Sequence, residues 1–255
     1  MPALTPLQFV ILFLAGFAAG TVDAIAGGGG IISLPTLLGL GVPAPLALGT
    51  NKLGAAFGTS SATWSYARRG LVNLRQCAWG IVFTIIGAVA GTLAVRRLDP
   101  EFLGRCIPWL LAAIVVYMVF RPALGETSRH HRMEAPVFYA VFGLGLGFYD
   151  GFFGPGVGSF WTIAFVMLLG FDFLQAAGHT KVMNFTSNTV ALLLFASTGA
   201  VVVLPGLALG AGQLIGGRLG AHLAMTRGAR FVRPVFLVMA GLTVLKLFYQ
   251  HYLQR

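Results

Sequence analysis

The amino-acid sequence predicts an all-α integral membrane protein, with about eight transmembrane helices and two short broken segments arranged as two homologous repeats. Three observations carry that prediction. The 255 residues are 57% hydrophobic and only 9% charged, where a soluble globular domain has about 25% charged. Charge is missing altogether from 1–22, 24–51, 76–95, 151–171 and 182–217, and a hydrocarbon core about 30 Å thick needs roughly 20 apolar residues per helix. Rare residues also recur at a near-constant offset: Asp23 with Asp150, Lys52 with Lys181, Gly70 with Gly199 and Pro108 with Pro234, separated by 127, 129, 129 and 126 positions. Such recurrence marks duplication. A soluble helical core would instead leave a polar face on its helices.

In chain order, the first apolar run predicts a helix over 6–25. It has no positively charged leader and ends at Asp23 and a glycine tract rather than a cleavage motif, so it is read as a helix and not as a signal peptide. Gly27–Gly30 then interrupt the helix, because glycine tolerates conformations that break it. A short segment over 30–41 follows, then helices over 46–68 (closed by Gly70), 76–97 and 103–121. The most polar stretch, Arg121 to Glu134, lies mid-chain and divides it into a first repeat (1–121), a linker (122–134) and a second repeat (135–255). The second repeat reads as a helix over 136–150 and a break at Gly154-Pro155-Gly156, where proline also removes a donor. It continues with a short segment over 156–170 and helices over 175–198 (closed by Gly199), 204–224 and 231–250.

At about 1.5 Å per residue the two short segments are either half-helices that turn back or thin full crossings. If they cross, Arg68, Arg69, Arg75 and the arginines of the linker and of 218–233 share one face, leaving few cations on the other. The positive-inside rule therefore favours an odd number of crossings per half, hence inverted repeats with both termini outside. Gly16/Gly20, Gly87/Gly91, Gly143/Gly147, Gly206/Gly210 and Gly216/Gly220 are four-residue spacings that predict close helix packing rather than ligand contacts. Trp64, Trp79, Trp109 and Tyr117 fit interfacial belts.

The net charge of +10 invites a nucleic-acid partner, but none is expected, since no basic run is interleaved with aromatics on a water-soluble segment. The cations belong to short connectors and anionic headgroups. Cys77 and Cys106 form no ligand pattern with any histidine, so neither a metal nor another cofactor is expected.

Four ionisable residues stand at membrane depth: Asp23, Lys52, Asp150 and Lys181. A charge at the bilayer centre costs roughly 2.5–3.5 kcal/mol on insertion scales and is retained for a reason. Either the acids and lysines neutralise one another as structural glue, or they line an aqueous cavity where the repeats meet. The glycine tracts favour the cavity. Broken backbone survives at this depth only when buried in protein or facing water. The segment restarting after each break offers free N–H groups and the positive end of a helix dipole, which together cradle an anion. Paired breaks are a sequence pointer to a transporter's binding site.

Lys52 and Lys181 then supply positive charge, and neighbouring small polar groups, among them Asn51, Asn184 and Asn188, replace the hydration shell of an oxyanion. Gly28, Gly29, Gly154, Pro155 and Gly156 complete the candidate binding set. His179, two residues before Lys181, joins it. Asp23 and Asp150 either orient the lysines or take up a proton. The partners this implies are a small anion and the lipid bilayer, with room for a coupling ion (proton or sodium) and for a homodimer. An intramembrane enzyme is disfavoured, because His-Glu-x-x-His and Gly-x-Ser-x-Gly are both missing. Nucleotide-driven transport would need another subunit, there being no P-loop.

The run Asp23-Ala-Ile-Ala-Gly-Gly-Gly-Gly-Ile-Ile-Ser-Leu-Pro35, followed by Leu48-Gly-Thr-Asn-Lys-Leu53, resembles the sulfite exporter TauE/SafE family of membrane permeases. Gly147-Phe-Tyr-Asp-Gly-Phe-Phe-Gly-Pro-Gly-Val-Gly158 and the stretch from Gly178 to Asn188 resemble its second half. The likeness spans essentially the whole chain. It implies about eight membrane helices in the cell's inner membrane and transport of sulfite, sulfonates or related organic anions. By that match Asn51, Lys52, Gly154, Pro155, Gly156, Lys181, Asn184 and Asn188 fall on family motif positions. No proline in the Gly28-Gly29-Gly30 tract faces Pro155. An anion channel or a non-transporting partner subunit is the alternative.

Overall fold

A computed structural model describes residues 4–120 and 132–227, and these form nine α-helices. The helices are α1 (Pro6–Ala26), α2 (Gly30–Gly39), α3 (Ala44–Ala67), α4 (Leu74–Arg96), α5 (Pro100–Phe120), α6 (Ala135–Phe152), α7 (Val157–Leu168), α8 (Phe173–Ala196) and α9 (Val203–Arg227). Every helix expected within these residues is found, with ends displaced by at most three positions. The expected helix over 231–250, Pro234, Lys246 and most of the linker, with His130 and His131, lie outside the described residues.

Local chemistry sets several boundaries. The Asn73 side chain accepts from the N–H groups of Arg75 and Gln76 at the start of α4, and Asp172 accepts from that of Gln175 at the start of α8. Side-chain oxygens in this position satisfy donors that the first turn leaves free. Gly70 and Gly199, the matched closers of α3 and α8, take φ of +71° and +69°, a left-handed conformation that costs other residues about 1–2 kcal/mol.

The distribution of polarity is inverted relative to a water-soluble domain. Leu7, Val10 and Leu14 on α1, Trp79 and Ile86 on α4, Val137 and Val141 on α6, and Leu204 and Ile215 on α9 are exposed. Thr50, Asn51, Lys52, Asp150, Lys181, Asn184 and Gln213 are buried. Apolar surface outside and ionisable groups inside is the arrangement that lipid demands. Among the described residues, α1 and α4 are long and apolar enough to cross a membrane by composition alone. At 24 residues each, α3 and α8 extend about 36 Å. The polar groups they carry inward lower their hydropathy. With 10 and 12 residues, α2 and α7 reach only about 15–18 Å, half a hydrocarbon core.

Packing interleaves the two halves. α1 lies along α9 and α4 along α6, while α3 and α8 cross at the centre. The glycine spacings do what was expected of them. A Cβ on Gly16 or Gly20 would collide with the α9 backbone at Leu209 or Gln213, and one on Gly216 or Gly220 with the α1 backbone at Phe17 or Thr21. Gly87 and Gly91 meet the α6 backbone at Leu144 and Phe148 in the same way, and Gly147 meets that of α4 at Thr84. Backbones this close bury helix against helix without large side chains. Trp64, Trp79 and Trp109 are exposed, and the Arg68 guanidinium sits over the Trp64 ring at 5.9 Å.

Candidate functional site

Both glycine tracts break their helices. α1 stops where Gly27 turns to φ +75°, its N–H bonding to the Asp23 carbonyl at 2.8 Å. α6 stops at Phe152, and Gly154 and Gly156 then take φ of +101° and +82°. The two breaks cross. The Ser159 N–H donates to the Gly27 carbonyl at 3.0 Å, and the Ser159 hydroxyl reaches the Ala26 carbonyl at 2.6 Å. A Cβ on Gly158 would lie 2.7 Å from the Gly27 Cα, and one on Gly30 would lie 3.1 Å from Pro155. Only chains stripped of side chains approach so closely. Beyond the breaks, α2 and α7 begin at Gly30 and Val157 after the N-caps Gly29 and Gly156, glycines with no side chain of their own to cap the first turn.

The lysines close the other side of each break, and they do so across the halves. Lys52 Nζ on α3 donates to the Asp150 carbonyl at 2.5 Å and to its carboxylate at 2.6 Å. Lys181 Nζ on α8 donates to the Asp23 carbonyl at 2.5 Å and to its carboxylate at 2.9 Å. Each ammonium therefore caps the carbonyl end of the broken helix from the opposite half, where the dipole favours a cation. The sequence had left open whether these charges neutralise one another or stand free to attract an anion, and the geometry is neutralised.

The pairs are not equivalent. Lys52 and Asp150 side chains are each 2% exposed, and the second Asp150 carboxylate oxygen accepts from the Ser187 hydroxyl. The Asp23 side chain is 18% exposed, and among the described residues its other oxygen holds only the Gly29 N–H, at 3.3 Å.

A polar cavity opens between these parts, enclosing about 370 Å³ of space, open solvent included. Among the residues singled out from the sequence it gathers Asp23, Gly29, Asn51, Lys52, Asp150, Gly154, Gly156, Asn184 and Asn188, together with Gly30 and Thr59. Ser33 hydrogen-bonds Asn51 at 2.5 Å, and the Asn188 amide donates to the Asn184 carbonyl at 2.7 Å, which fixes both carboxamides.

The remaining candidates lie outside the lining. Gly28 is inside the turn, and Pro155 supports it, its carbonyl accepting from the Tyr149 hydroxyl at 2.7 Å. Lys181 stands behind Asp23. His179 packs between Phe165 and Phe171, at centroid distances of 5.8 and 4.8 Å, with Nδ1 donating to the Gln175 carbonyl. The sequence reading passed over Gln213 of α9, which is 3% exposed and lines the cavity. One signal was available: it is the single carboxamide in the glycine-rich run 204–217. Ser159, the tie between the breaks, was also passed over.

The model of the family described as "Sulfite exporter TauE/SafE" matches residues 12–247. A "Probable membrane transporter protein" of Haemophilus influenzae is 42% identical over 239 residues, 94% of each chain. The "Probable membrane transporter protein ORF9" of a Sinorhizobium species is 43% identical over 229 residues, covering 90% of this chain and 88% of the relative. The "Probable membrane transporter protein YfcA" of Escherichia coli K12 is 39% identical over 245 residues, 96% and 91% of the two chains. No solved structure matches the chain.

Proposed function

This chain belongs to the sulfite exporter TauE/SafE family of membrane transporters, and we propose that it carries a small anion through the cavity where its two broken helices cross. The substrate class is sulfite, a sulfonate or a related organosulfur or organic anion, and the setting is the inner membrane, crossed several times. One observation carries the reading. Two helix N-termini whose N-cap residues are glycines, at Gly29–Gly30 and Gly156–Gly158, meet at one polar cavity, and the α2 end already holds an anionic group, its Gly29 N–H donating to the Asp23 carboxylate at 3.3 Å. Backbone N–H groups and positive dipole ends converging on one space favour negative charge, and discontinuous helices at a repeat interface are how transporters use them.

In this scheme residues 1–121 and 135–255 are inverted repeats joined by the linker 122–134, and the site is their seam. Asn51, Asn184 and Asn188 replace the anion's water shell. Lys52–Asp150, sealed and fully bonded, holds α3 to α6. Lys181–Asp23 is the exchangeable pair: its carboxylate is reachable from the cavity, so a proton or sodium ion arriving there releases the ammonium towards the substrate.

The test is uptake of labelled sulfite, sulfate, thiosulfate, sulfoacetate and small carboxylates into vesicles carrying the purified protein. Saturable, counter-ion-dependent flux of at least one anion is expected, with Lys181→Ala abolishing it while the protein still inserts. Non-saturating flux would make the protein a channel. Full transport by both Lys52→Ala and Lys181→Ala would remove the lysines from the mechanism.

A further inference from the structure

Gln213 sits at the centre of a volume cleared by three glycines on two other helices. A Cβ on Gly20 of α1 would lie 2.7 Å from the Gln213 Cα; one on Gly54 of α3 would lie 2.9 Å from its Nε2; one on Gly58 would lie 2.9 Å from its Oε1. The side chain is thus pinned along its length. Its carboxamide nitrogen is nonetheless buried with no hydrogen-bond partner, although the residue borders the cavity. Asn184 also contributes a buried unpartnered atom, Oδ1, to the same lining. A buried amide without a partner is costly, and one facing a cavity is a group waiting for what occupies that cavity.

The matching position in the other half sharpens the point. At the repeat offset of 129, Gln213 corresponds to Thr84 on α4. Gly147 of α6 packs on Thr84 as Gly20 of α1 packs on Gln213. Thr84 is buried as well, but its hydroxyl contacts the Met183 sulfur at 3.5 Å, and it is not part of the lining. Gln213 therefore breaks the pseudo-symmetry of the site. The cavity is drawn towards α3 and α9, where Ala55 and Thr59 complete its wall. The Thr59 hydroxyl spends its proton on the Ala55 carbonyl at 2.6 Å, leaving only acceptor capacity. Among Ala55, Thr59 and Gln213, Gln213 is the one able to donate.

We propose that Gln213 is a specificity-determining substrate contact, donating to an oxygen of the bound oxyanion from the side opposite the two helix N-termini. This deepens the transporter reading and rests on it. With the lysine charges matched by carboxylates, selection among anions of equal charge falls to directional hydrogen bonds, and Gln213 supplies one that no N-terminus can. The class of ligand this fits is an anion with at least two oxygens spread in space, such as sulfite, sulfate or a sulfonate, in preference to a halide.

The experiment measures KM and kcat for sulfite, with chloride as competitor, in vesicles carrying wild-type protein, Gln213→Leu, Gln213→Glu or Thr84→Val. Leucine keeps the volume and loses the donor; loss of one hydrogen bond raises KM for the oxyanion about 3–10-fold, with kcat nearly unchanged and chloride competing more effectively. Glutamate keeps the shape, reverses the polarity and suppresses sulfite uptake further, which preserves the test if the leucine protein does not fold. Thr84→Val leaves KM at its wild-type value. Unchanged KM and unchanged chloride competition in a folded Gln213 variant overturn the proposal, as does an equal effect of Thr84→Val. Absence of anion flux in the wild type would refute the transporter reading instead.

Discussion

Replacing Lys52 by methionine separates the two cross-pairs energetically. The substitution keeps most of the side-chain volume and removes the ammonium, leaving the Asp150 carboxylate with the Ser187 hydroxyl as its remaining bonded partner among the described residues. Both side chains of the pair border the cavity but are only 2% exposed, so water replaces the lysine poorly. Breaking a buried pair from one side costs about 3–5 kcal/mol. At roughly 2–4 °C of Tm per kcal/mol for a chain of this size, Lys52→Met is expected to lower Tm by about 6–20 °C. Lys181→Met leaves Asp23 18% exposed and still bonded to the Gly29 N–H, so its cost falls between the surface and buried limits, about 1–2 kcal/mol. The double variant Lys52→Met/Asp150→Leu removes the orphaned charge and recovers most of the loss, because apolar replacement of a whole buried pair is close to neutral. Thermal unfolding of the detergent-purified proteins, followed by tryptophan fluorescence and checked by size exclusion, measures all three. Equal losses for Lys52→Met and Lys181→Met, or a double variant as unstable as the single, would show that burial does not distinguish the pairs.

Further substitutions test the breaks and the packing. Gly154→Ala is expected to abolish flux in a protein that still inserts, since the backbone stands at φ +101° and the new methyl lies 2.7 Å from both Lys52 Nζ and Asp150 Oδ1. Gly70→Ala, also left-handed but with nothing within 4 Å, costs only about 1–2 kcal/mol in thermal unfolding and leaves flux intact. Gly91→Val drives a side chain into the α6 backbone at Phe148 and is expected to yield no monodisperse protein, whereas Gly104→Ala, with nothing within 4 Å, is tolerated or slightly stabilising. His179→Phe keeps the ring between Phe165 and Phe171 and is expected to transport with wild-type KM in the vesicle assay, because the histidine lies outside the cavity lining.

Helix positions were legible in the sequence because charge-free length, glycine closers and proline breaks are local properties. The two break points were legible for the same reason: nothing but Gly and Pro occupies 27–30 or 154–156. What the chain could not disclose is which Asp meets which Lys. Matching positions in two halves suggest a pair within each half as readily as a pair across them, and only the fold, which brings Lys52 of α3 to Asp150 of α6 and Lys181 of α8 to Asp23 of α1, decides it. Gln213 escaped for a related reason. A glutamine between Gly212, Gly216 and Gly217 reads as one polar residue in a packing face. Only the distances to Gly54 and Gly58, on the neighbouring helix α3, turn that face towards the cavity.

A neutral site is better suited to carriage than the positively charged pocket that two free lysines would have made. An ammonium about 4 Å from an anion attracts it by about 4 kcal/mol at an effective dielectric of 20. That is close to a thousandfold in affinity, and two such ammoniums would hold an anion too tightly to let it go. Carriage needs binding that can be switched, and in the proposed scheme a carboxylate that competes with the substrate for the same ammonium would supply the switch. Asp23 meets the requirements: it touches Lys181, it lines the cavity, and one of its oxygens is weakly held. Asp150 also lines the cavity and touches its lysine just as closely, but both of its oxygens are engaged and its side chain is only 2% exposed. In the proposed scheme, the pairing that keeps four charges stable within the bilayer leaves Asp23, on the last turn of α1, as the carboxylate best placed to exchange partners.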